Sequence, residues 1–281
     1  MKLPLINQAD LADREFNKIS ALVYGIAGIR LPDHKRELVK ARLGKRLREL
    51  GLNSYRQYVA HLEADKSGRE LINMLDAIST NLTSFFREPV HFKYMNNEII
   101  PEMLKKTDKK IRIWSAGCST GEEPYTIGIY LETIFPNIDH WDAKILATDI
   151  NTTVLDYARK GEYTELRLKD IALQVRREYF DCIKQTPPRM YRVKKKVKNL
   201  VSFARLNLLD RWPMQGSFDI IFCRNVMIYF DKQTQKKLVN RFWEMLRPGG
   251  TLFIGHSESL TGTEHKFKYQ QPTIYRKKQT K

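Results

Sequence analysis

The 281-residue sequence predicts an α/β protein, with a small all-helical domain over residues 1–80 and a parallel sheet covered by helices over residues 81–281. Three observations predict it. From residue 111 onward, short apolar runs alternate with helix-spaced segments, the pattern of a parallel sheet with crossover helices. Before residue 80, apolar residues recur only at helical spacing. The chain is 42% hydrophobic and 29% charged, ordinary for a soluble globular protein and long enough to bury a core without disulfides.

In the helical domain, Phe16, Ile19 and Val23 share one face until Gly25, Gly28 and Pro32 break the pattern. Asp33 is placed to cap a helix that ends at Gly51 and carries Val39, Leu43, Leu47 and Leu50 on one side. Ser54 with Gln57, and Ser67 with Glu70, have capping-box spacing and open two more helices. The stripe Leu71, Met74, Leu75 and Ile78 reads as core packing. A connector follows at about residues 81–90.

The second domain opens with a strand at residues 111–116, a turn Gly117-Cys118-Ser119-Thr120-Gly121, and a helix from Glu122 to about Phe135. Further strands are expected at 144–148, 200–203, 218–223 and 251–255, with helices from about Thr152 and over 232–246. The segment at about 186–200 breaks this alternation and reads as a small inserted antiparallel β subdomain. Residues 266–269 and 273–275 read as a closing hairpin.

Lys and Arg number 49 against 32 Asp and Glu, a formal net charge of +17 that taken alone suggests nucleic acid. Its distribution argues otherwise. Residues 35–48, 186–205 and 266–281 carry +6, +7 and +6, which leaves −2 for the remainder. Cys118, Cys182 and Cys223 are scattered and form no CxxC pair, so neither a disulfide framework nor a zinc site is expected. Acids stand where a signal peptide would carry its apolar run, and no apolar stretch is long enough to cross a bilayer. A cytoplasmic monomer without a metal is expected.

A strand, a glycine turn and a helix form the usual cradle for a nucleotide-like ligand, because glycine admits the ligand to the backbone and the helix start favours negative charge. Asp149 closes the next strand, where an acid can accept both ribose hydroxyls. Judged alone, it serves equally well as the cap of the following helix. The turn is not GxGxxG, which argues against a dinucleotide. The sequence Leu246-Arg247-Pro248-Gly249-Gly250 before the last parallel strand resembles S-adenosylmethionine-dependent methyltransferases, with their Rossmann-like fold.

Three motifs in order make the resemblance specific. Asn81-Leu82-Thr83-Ser84-Phe85-Phe86-Arg87, Ser119-Thr120-Gly121-Glu122-Glu123-Pro124-Tyr125 and Phe222-Cys223-Arg224-Asn225-Val226-Met227-Ile228-Tyr229-Phe230 together resemble the CheR family, the glutamate O-methyltransferases of bacterial chemotaxis receptors. The resemblance runs over nearly the whole chain. It implies that Asn81, Thr83 and Arg87 reach over the bound S-adenosylmethionine, Glu123 touches its methionine end, and Asp149 its ribose. It implies an adenine site at Asn207 and Leu208, with Arg224 and Asn225 at the mouth of the fourth strand. Arg87 and Tyr229 are the implied catalytic residues, and S-adenosylhomocysteine is the implied product. Without the resemblance, Arg87 reads as an ion pair with Glu88 or Glu98, and Tyr229 as a packed aromatic.

The implied partner is the cytoplasmic domain of methyl-accepting receptors, docked on the basic helix through Lys40, Arg42, Lys45, Arg46 and Arg48. Tether-binding members are glycine-rich before the β insertion. Here that stretch is Lys184-Gln185-Thr186-Pro187-Pro188-Arg189, so binding of a receptor C-terminal tether stays open. Glu122 beside Glu123 reads as an answer to the helix dipole, and His256 as a packed or solvated histidine. An RNA or DNA methyltransferase would welcome the basic surface, but base-directed enzymes carry Pro-Pro-aromatic where this chain has Arg224-Asn225-Val226. A catalytically silent receptor adapter is the other alternative, and Glu123, Asp149 and Arg87 stand against it.

Overall fold

The computed structural model describes residues 10–135 and 137–279. They fall into two compact units, one of residues up to Thr80 with Tyr229–Asp231, the other of Asn81–Ile228 and the chain from Lys232 onward.

The first unit has helices Asp13–Ala27, Arg36–Glu49, Tyr55–Ala64 and Arg69–Ile78. The periodic residues form its core: Phe16, Ile19, Val23, Val39, Leu43, Leu47, Met74, Leu75 and Ile78 are buried. The caps differ from expectation. Asp33 opens a 3-10 turn, Asp33–Lys35, and the second helix begins only at Arg36. Ser54 Oγ accepts the Gln57 N–H at 3.2 Å, while the Gln57 side chain returns to the Asn53 N–H at 2.8 Å, one residue early. The Ser67–Glu70 box does not form. Asp65 supplies the cap, accepting the N–H groups of Ser67 (2.9 Å) and Glu70 (2.7 Å). Glu70 instead turns inward, accepting Arg46 Nε at 2.8 Å, Arg46 Nη2 at 2.5 Å and Tyr58 Oη at 2.9 Å.

In the second unit, strands β1 (Lys110–Ala116), β2 (Asp142–Asp149), β6 (Val201–Arg205), β7 (Phe218–Cys223), β8 (Leu246–Ile254), β9 (Lys268–Gln271) and β10 (Ile274–Arg276) form one sheet of order β6-β2-β1-β7-β8-β10-β9. The first five are parallel, and β10 and β9 add an antiparallel hairpin, as the tail pattern predicts. Every residue of β7 is buried, which is why it reads as a continuous apolar run. Ile113 pairs with Ile145 on one side and Ile220 on the other, and these pack with Ile127, Leu131, Phe222 and Phe253. The strand β8 starts earlier than expected. Its register shifts between the partners of Phe218 and Ile220, so the Pro-Gly-Gly segment is absorbed into the strand rather than preceding it. A Cβ at Gly250 would lie 2.9 Å from the Arg247 carbonyl oxygen, which explains glycine there.

The β insertion is larger than residues 186–200. Strands β3 (Glu162–Thr164), β4 (Phe180–Lys184) and β5 (Met190–Val193) form a separate antiparallel sheet of order β3-β5-β4. The short strand β3 lies upstream of the helix Leu173–Tyr179, and the expected excursion covers only β5 and the short helix Lys195–Lys198. The subdomain is seated by Tyr163, Leu168, Ile171, Tyr179, Phe180 and Val193, which pack with Phe85 and Tyr125. No helix among the described residues is long and apolar enough to cross a membrane.

Candidate active site

Strand β2 lies on one side of β1 and β7 on the other, so the strand order reverses at β1 and leaves a crevice beyond the carboxyl ends. The glycine turn enters this crevice. Gly117 has φ 90°, and a Cβ there would collide with Val226 Cγ2. Ser119, at φ 48°, is held in the left-handed region by its N–H, which donates to Asp149 Oδ2 at 2.8 Å. Asp149 Oδ1 accepts the Asn151 N–H at 3.0 Å. Asn151, not Asp149, caps the helix Thr152–Lys160 through the Val154 N–H. The Asp149 carboxylate joins the end of β2 to the turn after β1.

A buried charged network lies under the turn. Glu123 Oε1 accepts from Ser115 Oγ, and its Oε2 from Arg224 Nε, both at 2.6 Å. Arg224 Nη1 donates to the Arg87 carbonyl at 2.7 Å and lies 3.5 Å from Glu88 Oε2 and 3.3 Å from His91 Nδ1. The Arg224 side chain is 3% exposed, so it acts on the crevice through Glu123 and the Arg87 carbonyl. Thr273 Oγ1 donates to the Pro272 carbonyl, so His91 Nε2 is the donor in its 2.7 Å bond to Thr273. That leaves Nδ1 to accept from Arg224. Burial first, then the charges of Arg224 and His256, pull the His91 pKa down to about 3 and keep the ring neutral.

Glu88, His91 and His256 bring three metal-ligand groups within 4.8 Å of one another. They do not fit a metal ion. The Arg224 guanidinium already stands against Glu88 and His91, and a cation would meet that fixed positive charge. His256 is exposed, the solvated of the two settings expected, and its backbone N–H donates to Glu88 Oε1 at 3.1 Å.

The connector lies along the same turn. The Asn81 carbonyl accepts from Ser119 Oγ at 2.9 Å, the Thr83 carbonyl from Arg167 Nη1 at 3.4 Å, and the Phe86 N–H donates to Thr126 Oγ1 at 3.1 Å. Phe86 (φ 53°) and Glu88 (φ 57°) both sit in the left-handed region, and the bend delivers the Arg87 carbonyl to Arg224. The Arg87 side chain is half-buried and donates to the Leu82 carbonyl at 3.1 Å. Glu88 is instead paired with Arg224. Glu122, fully buried, accepts from Thr120 Oγ1 at 2.6 Å and pairs with Arg167 at 3.2 Å, and burial pushes its pKa up.

Asn207 and Leu208 follow β6, whose Arg205 is in register with Asp149. Asn207 Oδ1 accepts the Leu209 N–H at 3.1 Å, and the buried Leu208 offers its carbonyl to Arg241 Nη1 at 2.7 Å. Asn81, Arg87, Glu123, Asp149, Asn207, Arg224 and Asn225 thus belong to one unit, with Asp149, Asn207, Arg224 and Asn225 at or just beyond the carboxyl ends of their strands.

Glu258 escaped the sequence reading. Its Oε2 accepts the N–H groups of Asn225 (2.9 Å) and Gly255 (2.5 Å), and its Oε1 those of Val226 (3.0 Å) and Ile228 (3.2 Å). No ion pair reaches it among the described residues; burial raises its pKa against the pull of these amides. The nest fixes Asn225 at φ 58°. Asn225 Oδ1 is buried without a hydrogen-bond partner, an acceptor available to a bound group.

Tyr229 is grouped with the first unit, where its carbonyl accepts the Arg30 N–H at 3.0 Å and Lys35 Nζ stands 5.3 Å from its ring centroid. Four of the five expected docking residues have an internal partner, Lys45 only a distant one in Glu49 at 3.9 Å. Lys40 pairs with Asp10 at 2.9 Å, Arg42 donates to the Ile78 and Ser79 carbonyls, and Arg46 binds Glu70 and Glu49. Lys45, 77% exposed, and Arg48 remain on the open face.

A reversing parallel sheet, a glycine turn tied to an acid at the end of the second strand, and an unpartnered acceptor beside it define an S-adenosylmethionine-dependent methyltransferase. Residues 14–79 match the family model "CheR methyltransferase, all-alpha domain", and residues 81–276 match "CheR methyltransferase, SAM binding domain". The chemotaxis protein methyltransferases of Salmonella typhimurium and Escherichia coli are each 41% identical over 277 residues, covering 97% of this chain and 93% and 94% of theirs. A probable chemotaxis protein methyltransferase of Rhizobium etli is 40% identical over 258 residues, 91% of this chain and 96% of its own. The chain belongs to the CheR methyltransferase family, and S-adenosylmethionine is its cofactor.

Proposed function

We propose that the protein methylates glutamate side chains of methyl-accepting chemotaxis receptors in the cytoplasm, giving glutamate methyl esters and S-adenosylhomocysteine. One observation carries the reading: among the described residues, the buried histidine and carboxylates at the crevice are already held by partners and serve to position. His91 is neutral but hydrogen-bonded at both nitrogens, and Glu123 and Glu122 are held by Arg224 and Arg167. A glutamate acceptor, with an ordinary pKa of about 4.3, is already ionised at neutral pH and needs no base. The names of the relatives support a chemotaxis protein as the substrate.

When bound, the cofactor supplies a sulfonium methyl group to a nucleophile in line with it. Asp149 accepts the ribose hydroxyls, Asn207 and Leu208 bound the adenine end, and Asn225 Oδ1 accepts a donor from the cofactor. Glu123, fixed by Ser115 and Arg224, faces the cationic methionine end. Arg87 spends one donor on Leu82, and its guanidinium fork holds the acceptor carboxylate. Catalysis on this reading is proximity and orientation. Lys45 and Arg48 on the helical unit offer positive charge to an acidic receptor helix.

The test incubates the enzyme with methyl-labelled S-adenosylmethionine, receptor membranes and RNA in parallel, followed by base. Label on receptor, released by base, is expected. Base-stable label, or label in RNA alone, would overturn the reading.

A further inference from the structure

Among the described residues, four large apolar side chains are more than half exposed, and three of them lie on segments that hydrogen bonds join to one another. They are Leu82 (80%), Leu166 (73%) and Leu173 (58%); the fourth, Tyr269, is in the closing hairpin. Leu82 sits in the connector between Asn81 and Thr83. Leu166 is on the 3-10 turn Glu165–Leu168, and Leu173 begins the helix Leu173–Tyr179.

Hydrogen bonds join these three segments. Arg167 Nη1 bridges from the 3-10 turn to the Thr83 carbonyl at 3.4 Å and to Glu122 at 3.2 Å. Arg176 of the helix donates to the Leu168 carbonyl at 2.7 Å and lies 3.8 Å from Glu165. The leucines are therefore set on a braced surface, continuous with the connector that carries Arg87. Exposed leucines gathered in one place beside a site mark an interaction surface more often than leucines scattered singly.

The surface is also basic. Residues 162–198 contain eleven Lys and Arg against five Asp and Glu; next to the leucines in sequence, Arg167 and Lys169 alternate with Glu165 and Asp170. Exposed leucines on a segment of net charge +6 fit an amphipathic helix with one apolar face and acidic flanks.

We propose that Leu82, Leu166 and Leu173 form the seat for the substrate helix itself, gripping its apolar face so that a flanking glutamate reaches Arg87. This rests on the receptor-glutamate reading above and adds where that helix lies against the sheet unit. The leucines supply affinity for the helix, and Arg87 selects the carboxylate.

The experiment measures methyl transfer to a receptor cytoplasmic domain by Leu166→Ser, Leu173→Ser and the double variant, with S-adenosylhomocysteine affinity determined by calorimetry on the same preparations. The expected result is a receptor KM raised tenfold or more in the double variant, with cofactor Kd within twofold of wild type. Leu82→Ser should shift KM in the same direction. A receptor KM within twofold of wild type would overturn the proposal, and so would a matching loss of cofactor affinity. Wild-type enzyme that placed no base-labile methyl group on receptor would remove the glutamate reading and this surface together.

Discussion

Glu70 in the helical unit and Glu258 in the sheet unit are both buried carboxylates, and they are satisfied by opposite means. Glu70 meets side chains: the Arg46 fork, Tyr58 and Asn73. Glu258 meets backbone: among the described residues its partners are amides, including those of Gly255, Asn225, Val226 and Ile228. The first arrangement pins two helices together. The second shapes a loop, because each amide it binds fixes a stretch of main chain beside the cofactor crevice. Electrostatics follows the same division. Burial pushes Glu70 upward, but Arg46, Asn73 and Tyr58 outweigh it and hold its pKa below the ordinary value. Burial wins at Glu258, whose pKa is raised.

The largest effect that would sharpen this contrast is at Arg224, where the sheet unit does use a cation. Arg224→Met leaves Glu123 and Glu88 buried without their partner, and a loss of about 3–5 kcal/mol in unfolding free energy is expected from urea denaturation. A loss below about 1 kcal/mol would mean that the network is not holding the carboxylates.

Glu70→Gln and Glu258→Gln should each cost about 1–3 kcal/mol near neutral pH, and their pH dependences should run in opposite directions. The folded pKa of Glu70 lies below the ordinary 4.5, so its contribution is present above that value and fades as pH falls through the folded pKa. The deficit of Glu70→Gln should therefore shrink in acid. The folded pKa of Glu258 lies above 4.5, so the folded state takes up a proton first. The deficit of Glu258→Gln should grow as pH falls through that window toward 4.5. Parallel slopes for the two variants would break the comparison.

The smallest effect belongs to the open face of the basic helix. Charge reversal at Lys45 and Arg48 should change stability by less than about 0.5 kcal/mol by thermal denaturation, while raising receptor KM. Reversal at Arg46 should instead unsettle Glu70 and the fold.

The sequence made the main sheet legible because its central strands β1, β7 and β8 are largely buried and read as apolar runs. The insertion was not legible in full. Its β4 is exposed at four of five positions, and β3 has three residues, so neither shows a clear apolar pattern. In the site, Gly117 and Asp149 announce themselves through a turn and a strand end. Glu258 does not, since its partners are amides that leave no trace in residue identity. The pairing of Arg46 with Glu70 is equally hidden, joining different helices. The basic tail gains an explanation only from structure: Lys277 donates to the Trp243 and Leu246 carbonyls at 2.7 Å, and Lys266 and Lys277 both stand over the Trp243 ring.

The central claim is that Asp149 joins the glycine turn to the cofactor's ribose. Calorimetric titration of S-adenosylhomocysteine into wild type and Asp149→Ala tests it most directly. Loss of hydrogen bonds to a charged group, about 1.5–3 kcal/mol, predicts a Kd raised tenfold or more in the folded variant. An unchanged Kd would contradict the account.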